Sequence, residues 1–309
     1  MLSYILKRLL VAIPTMFVIV AMAFFMMRAA PGGPFASERQ LPQEIERNIL
    51  AYYGMDKPLP QQFLDYVGNA LQGDFGPSLK YKDKTVSDLI VEGLPVSAVI
   101  GLSSLALAIM IGVALGCMAA LRQNRSQDYV VMAFAMAGIC IPPFVMGPIL
   151  SLVFGVQLGW VPSAGLDAGR MTLDTLILPI ITLALPQIAI ISRLVRASMI
   201  EVMRSNWVRT ARAKGLTGTE VIIGHALRAG MLPLVSYLGP ACAGLITGSV
   251  VIETVFQLPG IGRSFVTGAL QRDYTVVMGV VILYAGLIIL LNLVADLIYG
   301  LLDPKVKYE

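Results

Sequence analysis

The chain has 309 residues, of which 57% are hydrophobic and only 14% charged, and its mean hydropathy is +0.77. Soluble domains carry about 25% charged residues, so this composition excludes a disordered chain, a basic nucleic-acid binder and an ordinary cytosolic enzyme. The net charge of +4, from 23 Lys and Arg against 19 Asp and Glu, acquires meaning only when the charges are placed along the chain.

Six stretches contain no Asp, Glu, Lys or Arg: residues 9–27, 93–121, 129–166, 175–192, 229–252 and 274–295, together 150 residues. A spanning helix needs about 20 apolar residues, so nearly half the chain suits a lipid bilayer. In the first stretch ten residues are Leu, Ile, Val or Phe. At roughly −0.5 kcal/mol each they favour insertion, and Arg28 ends the run where its stem can snorkel to the interface. Lys7 and Arg8 ahead of it also suit a leader peptide, but 19 residues exceed the usual apolar core of about 7–15. The stretch is read as an uncleaved first span, residues 1–28 with their cytoplasmic start.

Residues 29–92 form the one long polar segment and are expected to make a helical extracytoplasmic unit. Pro31-Gly-Gly-Pro34 signals a chain reversal. Pro42 with Glu44 and Glu46 marks a helix start, and Leu41, Ile45 and Ile49 share a face. A second pattern follows Pro60, with Phe63, Val67 and Leu71 stacked and Gly73 as the stop. The unit suits either a small cap or a docking surface for a partner.

The third charge-free stretch, 38 residues, is too long for one straight span. Pro142-Pro143 and Gly147-Pro148 must kink or break it, and Leu158 to Gly165 reads as a loop with an interfacial Trp160. It is either one bent span with a loop or two short spans, and charge arbitrates. With six spans and a cytoplasmic N-terminus, the inside segments hold 13 cations and the two short outside loops hold three, Arg170, Arg263 and Arg272. Seven spans would expose the seven-cation segment 193–228 outside, against the bias of cytoplasmic loops toward Lys and Arg. The expected fold is therefore an all-α polytopic membrane protein of six transmembrane helices with both termini cytoplasmic. Cys117, Cys140 and Cys242 all fall in apolar runs and read as buried thiols.

The cytoplasmic segment 193–228 is too structured for a simple connector. Residues 192–214 lack Gly and Pro and read as one helix, and Lys214-Gly215 supplies a cationic last turn and a glycine stop. Thr217-Gly-Thr-Glu220 fits a capping box for the next helix. A basic amphipathic helix lying on anionic lipid is the other reading of the composition.

Here the sequence resembles a known family. Arg209-Thr-Ala-Arg-Ala-Lys-Gly215-Leu216, followed by His225-Ala-Leu-Arg228, is similar to the cytoplasmic signature loop of permease subunits of bacterial binding-protein-dependent ABC importers. Ala211, Gly215 and Leu227 match the general pattern. Arg209, Thr210, His225 and Arg228 depart from it toward the peptide and nickel branch. The blocks Lys7-Arg8 to Ala30-Pro31-Gly32, Gly73-Asp74-Phe75-Gly76 and Glu253-Thr-Val-Phe-Gln-Leu-Pro-Gly-Ile-Gly262 resemble that branch in the same order. The stretch Phe75-Gly-Pro-Ser-Leu-Lys-Tyr-Lys-Asp83 is most similar to the oligopeptide permeases.

The resemblance implies the type I permease fold of ABC importers, in a multi-pass bacterial inner-membrane protein. It implies a second homologous permease subunit, two ATP-binding subunits and an extracytoplasmic peptide-binding protein as partners, with lipid around the chain and no nucleic acid. Residues 93–309 would form a five-helix core including the coupling loop. The loop residues Arg209, Thr210, Ala211, Arg212, Ala213, Lys214, Gly215 and Leu216 would meet an ATPase groove. No cofactor is expected in this chain, and ATP and Mg²⁺ would belong to the partner subunits. Dipeptide, glutathione or nickel cargo fits the same branch.

The absent motifs agree. The chain has no Gly-x-x-x-x-Gly-Lys-[Ser/Thr] phosphate loop and no Gly-x-Ser-x-Gly elbow, and its single His225 excludes a His-Glu-x-x-His metal site. It is read as a pore-forming subunit and not as an enzyme. An ion-coupled secondary transporter is the alternative from another class, but such carriers place ionisable groups near the bilayer midplane, and the six stretches lack them. Candidate pathway or gate residues are Gln187, Asn292 and Glu253. Thr247 and Ser249 are expected to bond their own helix backbone. Glu253 opens the Phe256 to Gly262 turn and suits a loop cap, an outer gate or a receptor contact.

Overall fold

The computed structural model describes residues 2–29, 54–81, 83–166 and 169–302; the Pro31–Pro34 turn and the helix start at Pro42 lie outside these. Among the described residues the regular structure is helical, apart from an isolated antiparallel bridge between Pro77 and Thr85. The long helices are α1 (Leu2–Ala29), α3 (Val86–Leu121), α4 (Ser126–Cys140), α6 (Leu173–Met203), α10 (Leu232–Gly248) and α13 (Tyr274–Leu302). Shorter ones are α2 (Leu59–Ala70), α5 (Pro143–Leu150), α7 (Asn206–Ala213), α8 (Gly218–Val221), α9 (Leu227–Gly230), α11 (Val250–Val255) and α12 (Ile261–Gln271). Two π-helical stretches, Ser151–Gln157 and Ile222–Ala226, extend α5 and join α8 to α9.

Among the described residues five segments are long and apolar enough to cross a bilayer: Leu6–Ala29, Val86–Leu121, Leu173–Met203, Leu232–Val255 and Tyr274–Ile298. The 38-residue charge-free stretch takes a different course. Its halves, Ser126–Cys140 and Pro143–Gln157, meet at 98° and together make a sixth apolar unit. The bend falls at Pro142-Pro143, where the missing N–H groups interrupt the helical ladder. Past it, Trp160 stands exposed in a loop that is held back by a Ser151 Oγ bond to the Ser163 carbonyl, 2.7 Å.

The centre of the bundle is the pairing of α3 with α6. On α3, Ser97, Gly101, Ser104, Ala108, Gly112, Gly116 and Ala119 are buried and recur at helical spacing. A methyl added at Gly116 would lie 2.6 Å from the Ser192 carbonyl, so the two backbones touch. Helices in lipid gain little from apolar burial alone, and close packing of small residues supplies the association. Two of the hydroxyls on these faces return to their own helices, Ser104 to Ile100 O at 2.7 Å and Thr182 to Leu178 O at 2.7 Å, whereas Ser97 reaches across to Glu253.

One end of the bundle is tied down by two buried carboxylates, and the other by ion pairs. At the first end Asp273 precedes α13 and gathers the segment 78–80, accepting from the Ser78 hydroxyl and from the Leu79 and Lys80 N–H groups at 3.1 and 3.2 Å. There α2 docks through Phe63, whose ring lies 5.4 Å from Phe24 and 5.7 Å from Phe17. Such edge-to-face pairs add about 1 kcal/mol each. Leu71, expected to continue that face, instead sits past the end of α2 and is 85% exposed, because the helix stops short at Ala70 ahead of Gly73 at φ +79°. At the opposite end Arg8 meets Asp296 at 2.7 Å, and Arg196 makes a forked pair with Asp128 at 2.6 and 2.7 Å. Of the cysteines, Cys140 is exposed at the end of α4, and Cys117 and Cys242 are half-buried.

Candidate functional site: the loop from 204 to 230 and the Glu253 cluster

The expected single helix over 192–214 is broken. α6 ends at Met203, Ser205 turns extended at φ −68° and ψ 153°, and α7 starts at Asn206. The Ser205 hydroxyl donates to the Val202 carbonyl at 2.6 Å, satisfying one of the open groups at the end of α6. Ser and Asn compete with helix through such local bonds, so the pair Ser205-Asn206 is the signal that marks the break.

The far end of α7 follows the expected chemistry. Gly215 adopts φ +86°, a left-handed conformation that favours glycine. Its N–H donates to Arg212 O at 3.0 Å, and the Leu216 N–H donates to Ala211 O at 3.4 Å. These are the two bonds of a Schellman termination, and Leu216 packs back on the cluster of Val208, Ala211 and Val221. Thr217 then caps α8. Its N–H and hydroxyl both reach Glu220 Oε2 at 2.8 Å, while Glu220 N–H returns to Thr217 Oγ1 at 3.4 Å. The Thr217 backbone N–H, with the hydroxyl, holds the Glu220 carboxyl below the usual carboxylate range.

This geometry divides the predicted loop residues into two groups. Arg209, Thr210, Arg212, Ala213, Lys214 and Gly215 are exposed, so α7 presents three cations outward. Ala211 is buried and Leu216 half-buried, and both hold α7 onto α8 rather than facing out. His225 lies exposed in the π-helical stretch, with Nδ1 3.5 Å from the Glu220 carbonyl. The loop is a short helix braced against Val221 and Leu216.

The candidate pathway residues serve three separate contacts. Gln187 Oε1 on α6 accepts from Tyr237 Oη on α10 at 2.5 Å. Asn292 on α13 sits against Gly239 of α10, and its buried Oδ1 has no hydrogen-bond partner among the described residues. Glu253 is fully enclosed at the first end of the bundle. It accepts from Ser97 Oγ at 2.6 Å, from the Ser249 hydroxyl and from the Arg263 N–H at 3.2 Å. The Ile261 N–H donates to Ser97 Oγ at 3.0 Å, so Ser97 and Glu253 together cap α12. A methyl on Gly260 would lie 2.1 Å from Glu253 Oε2, and only glycine admits that approach. With no exposure, the Glu253 side chain is arranged here as a loop cap. Thr247 bonds Ala243 O as expected, at 2.8 Å, whereas Ser249 divides its bonding between Ile246 O and Glu253.

Sequence reading missed Ser97, Asp273 and the Asp128–Arg196 pair. Asp273 was legible as an N-cap ahead of the apolar run from residue 274. Ser97 and the ion pair join segments far apart in the chain and leave no local signal.

The profile of the binding-protein-dependent transport system inner membrane component matches residues 112–308, and that of the N-terminal part of such membrane components matches residues 1–100. The chain is 51% identical to the oligopeptide transport system permease protein OppB of Salmonella typhimurium over 308 residues, covering 100% of both. It is 49% identical to that of Haemophilus influenzae over 308 residues, again covering 100% of both. It is 39% identical to the dipeptide transport system permease protein DppB of Bacillus subtilis, covering 99% of this chain and 98% of the relative. Among solved structures, the inward-facing MetNI methionine ABC transporter superposes with a TM-score of 0.60 at 20% identity, over 70% of this chain and 96% of that one. An amino acid ABC transporter gives a TM-score of 0.52 at 14% identity, over 71% and 95%. At these identities the two structures establish a shared fold.

Proposed function

The chain belongs to the family of binding-protein-dependent transport system inner membrane components, and from that membership we propose that it is the permease subunit of an ATP-driven peptide importer. Oligopeptides are the favoured cargo, because full-length identity is 49–51% to oligopeptide permeases and 39% to a dipeptide permease. In this reading six spans cross the inner membrane with both termini in the cytoplasm, the bent pair α4–α5 counting as one. Residues 1–28 form the first span, 29–92 the extracytoplasmic unit, and 93–309 the core with its coupling loop at 193–228.

The observation that carries the mechanism is the braced helix α7. Val208 and Ala211 anchor it to Val221, while Arg209, Arg212 and Lys214 stay free of that packing and face outward. A partner ATPase that grips this basic face moves α7 as a rigid lever. Because α7 follows α6 after one break, and α6 packs along the length of α3, a displacement reaches the centre of the bundle. ATP and Mg²⁺ are held by the two ATP-binding subunits, a sister permease completes the pathway, and a peptide-binding protein delivers cargo at the end holding Asp273 and Glu253.

Affinity purification from membranes followed by mass spectrometry tests this reading. Two ATP-binding subunits and a second permease are expected in the same particle, and a particle containing this chain alone would overturn it.

A further inference from the structure

The end of the bundle that holds Glu253 also carries a concave pocket of about 580 Å³ between the start of α3, the loop around Gly169 and α12. Its floor is closed. Gly93 packs so tightly on α12 that an added methyl would lie 2.9 Å from the Ile261 N–H, and the Ser97–Glu253 cap seals the layer beneath. The pocket lies at the end of the bundle that receives cargo in the proposed function.

Three charged side chains line it: Lys84, Glu92 and Arg263. Lys84 Nζ is committed to Glu92, 2.8 and 2.6 Å from its two oxygens. Arg263 is placed differently. Its backbone N–H is fixed on Glu253 Oε2 at 3.2 Å and its Nη1 donates to the Gln257 carbonyl at 3.0 Å. No carboxylate lies within ion-pair distance of it among the described residues. Its side chain is exposed in the first turn of α12, whose N–H groups are already capped by Ser97 and Glu253. A guanidinium held by one carbonyl, with donors left open toward a pocket, has the geometry to take a carboxylate.

We infer that this pocket receives the C-terminal carboxylate of the transported peptide on Arg263, with the Lys84–Glu92 pair as the opposite wall. The inference rests on the importer reading and adds to it a substrate subsite. Its logic is chemical: peptides that differ in every side chain share their terminal groups. A path that accepts many sequences can address only those groups and the backbone.

The test uses the whole complex in proteoliposomes, with saturating peptide-binding protein loaded with a tripeptide or with the same tripeptide as its C-terminal amide. Initial import rates are measured for the wild type, Arg263→Gln and Arg263→Lys. The free acid is expected to enter faster than the amide in the wild type. The acid-to-amide ratio should fall about tenfold in Arg263→Gln, the scale of one charge-assisted hydrogen bond, and recover in large part in Arg263→Lys. A wild-type ratio near one would overturn the assignment. So would an Arg263→Gln variant that slows both peptides by one factor, which is the signature of loop support or of an acidic receptor group docking there. Failure of the wild type to import either peptide would overturn the importer reading itself.

Discussion

Ser97 and Glu253, 156 positions apart, are joined by a hydrogen bond of 2.6 Å at a site closed to solvent. The bond ties α3 to α11, and the same two side chains cap α12 through the Ile261 and Arg263 N–H groups. Replacing Glu253 by Ala removes the acceptor of the Ser97 hydroxyl and of the Arg263 N–H, while Ser249 keeps the Ile246 carbonyl. Since a buried unpaired polar group costs about 1–3 kcal/mol, the variant should lose about 3 kcal/mol. Glu253→Gln keeps one acceptor oxygen and should lose about half as much. Thermal unfolding of the purified protein in detergent measures both, and equal melting temperatures for Glu253→Ala and wild type would remove the cap from the account.

Gly215 offers a cleaner test of α7, because a side chain there meets no other atom within 4 Å while its φ of +86° disfavours every L residue. Gly215→Val should strain the turn by about 1–2 kcal/mol, tilt α7 and uncouple ATP hydrolysis from uptake without blocking membrane insertion. Gly215→Asn, which tolerates the left-handed region better, should retain most of the coupling. The readout is peptide imported per ATP hydrolysed in proteoliposomes. A normal ratio in Gly215→Val would sink the assignment of α7 as the coupling element.

The Schellman turn at Gly215 and the capping box at Thr217 were legible in the sequence because each is a local pattern of a few residues whose backbone chemistry is self-contained. The charge-free stretches were legible for a related reason: lipid demands continuous apolarity, and the chain displays it directly. The break at Ser205 was concealed by an uninterrupted apolar and basic periodicity on either side, although the residue type at that position marks it. A loop cap was among the roles read for Glu253, but its bond to Ser97, like that of Asp128 to Arg196, was not legible. Each depends on a partner brought near by packing of small residues on α3 and α6, and no spacing rule along the chain connects position 253 with 97 or 128 with 196.

The capping box also gives the loop a defined pH response. The Glu220 carboxyl is held below its ordinary range by the Thr217 N–H and hydroxyl. Its contribution to the α8 start is therefore complete above the unfolded carboxyl value of about 4.3. It is lost as pH falls through the lower folded value. Hydrogen exchange at residues 218–221 should be faster in Glu220→Gln than in wild type at neutral pH, and the ratio of the two rates should approach one as the carboxyl protonates. A ratio constant across that range would show that Glu220 caps nothing.

The pair of Asp128 with Arg196 joins α4 to α6 at the end opposite Glu253, and its two members are not equivalent. Asp128 is 1% exposed and also accepts from the Asn124 N–H at 2.9 Å, whereas the Arg196 side chain retains 27% exposure. Removing Arg196 leaves the Asp128 carboxylate without its cation, at a cost of about 3 kcal/mol. Removing Asp128 leaves a guanidinium that can turn outward, so the loss should be smaller, about 1–2 kcal/mol. The double variant should then lie well short of the sum, with a coupling energy of about 2 kcal/mol. Thermal unfolding of Arg196→Ala, Asp128→Ala and the double variant measures the cycle. If the two single variants add, the forked geometry holds no interaction energy, and α4 must be attached to α6 by packing alone.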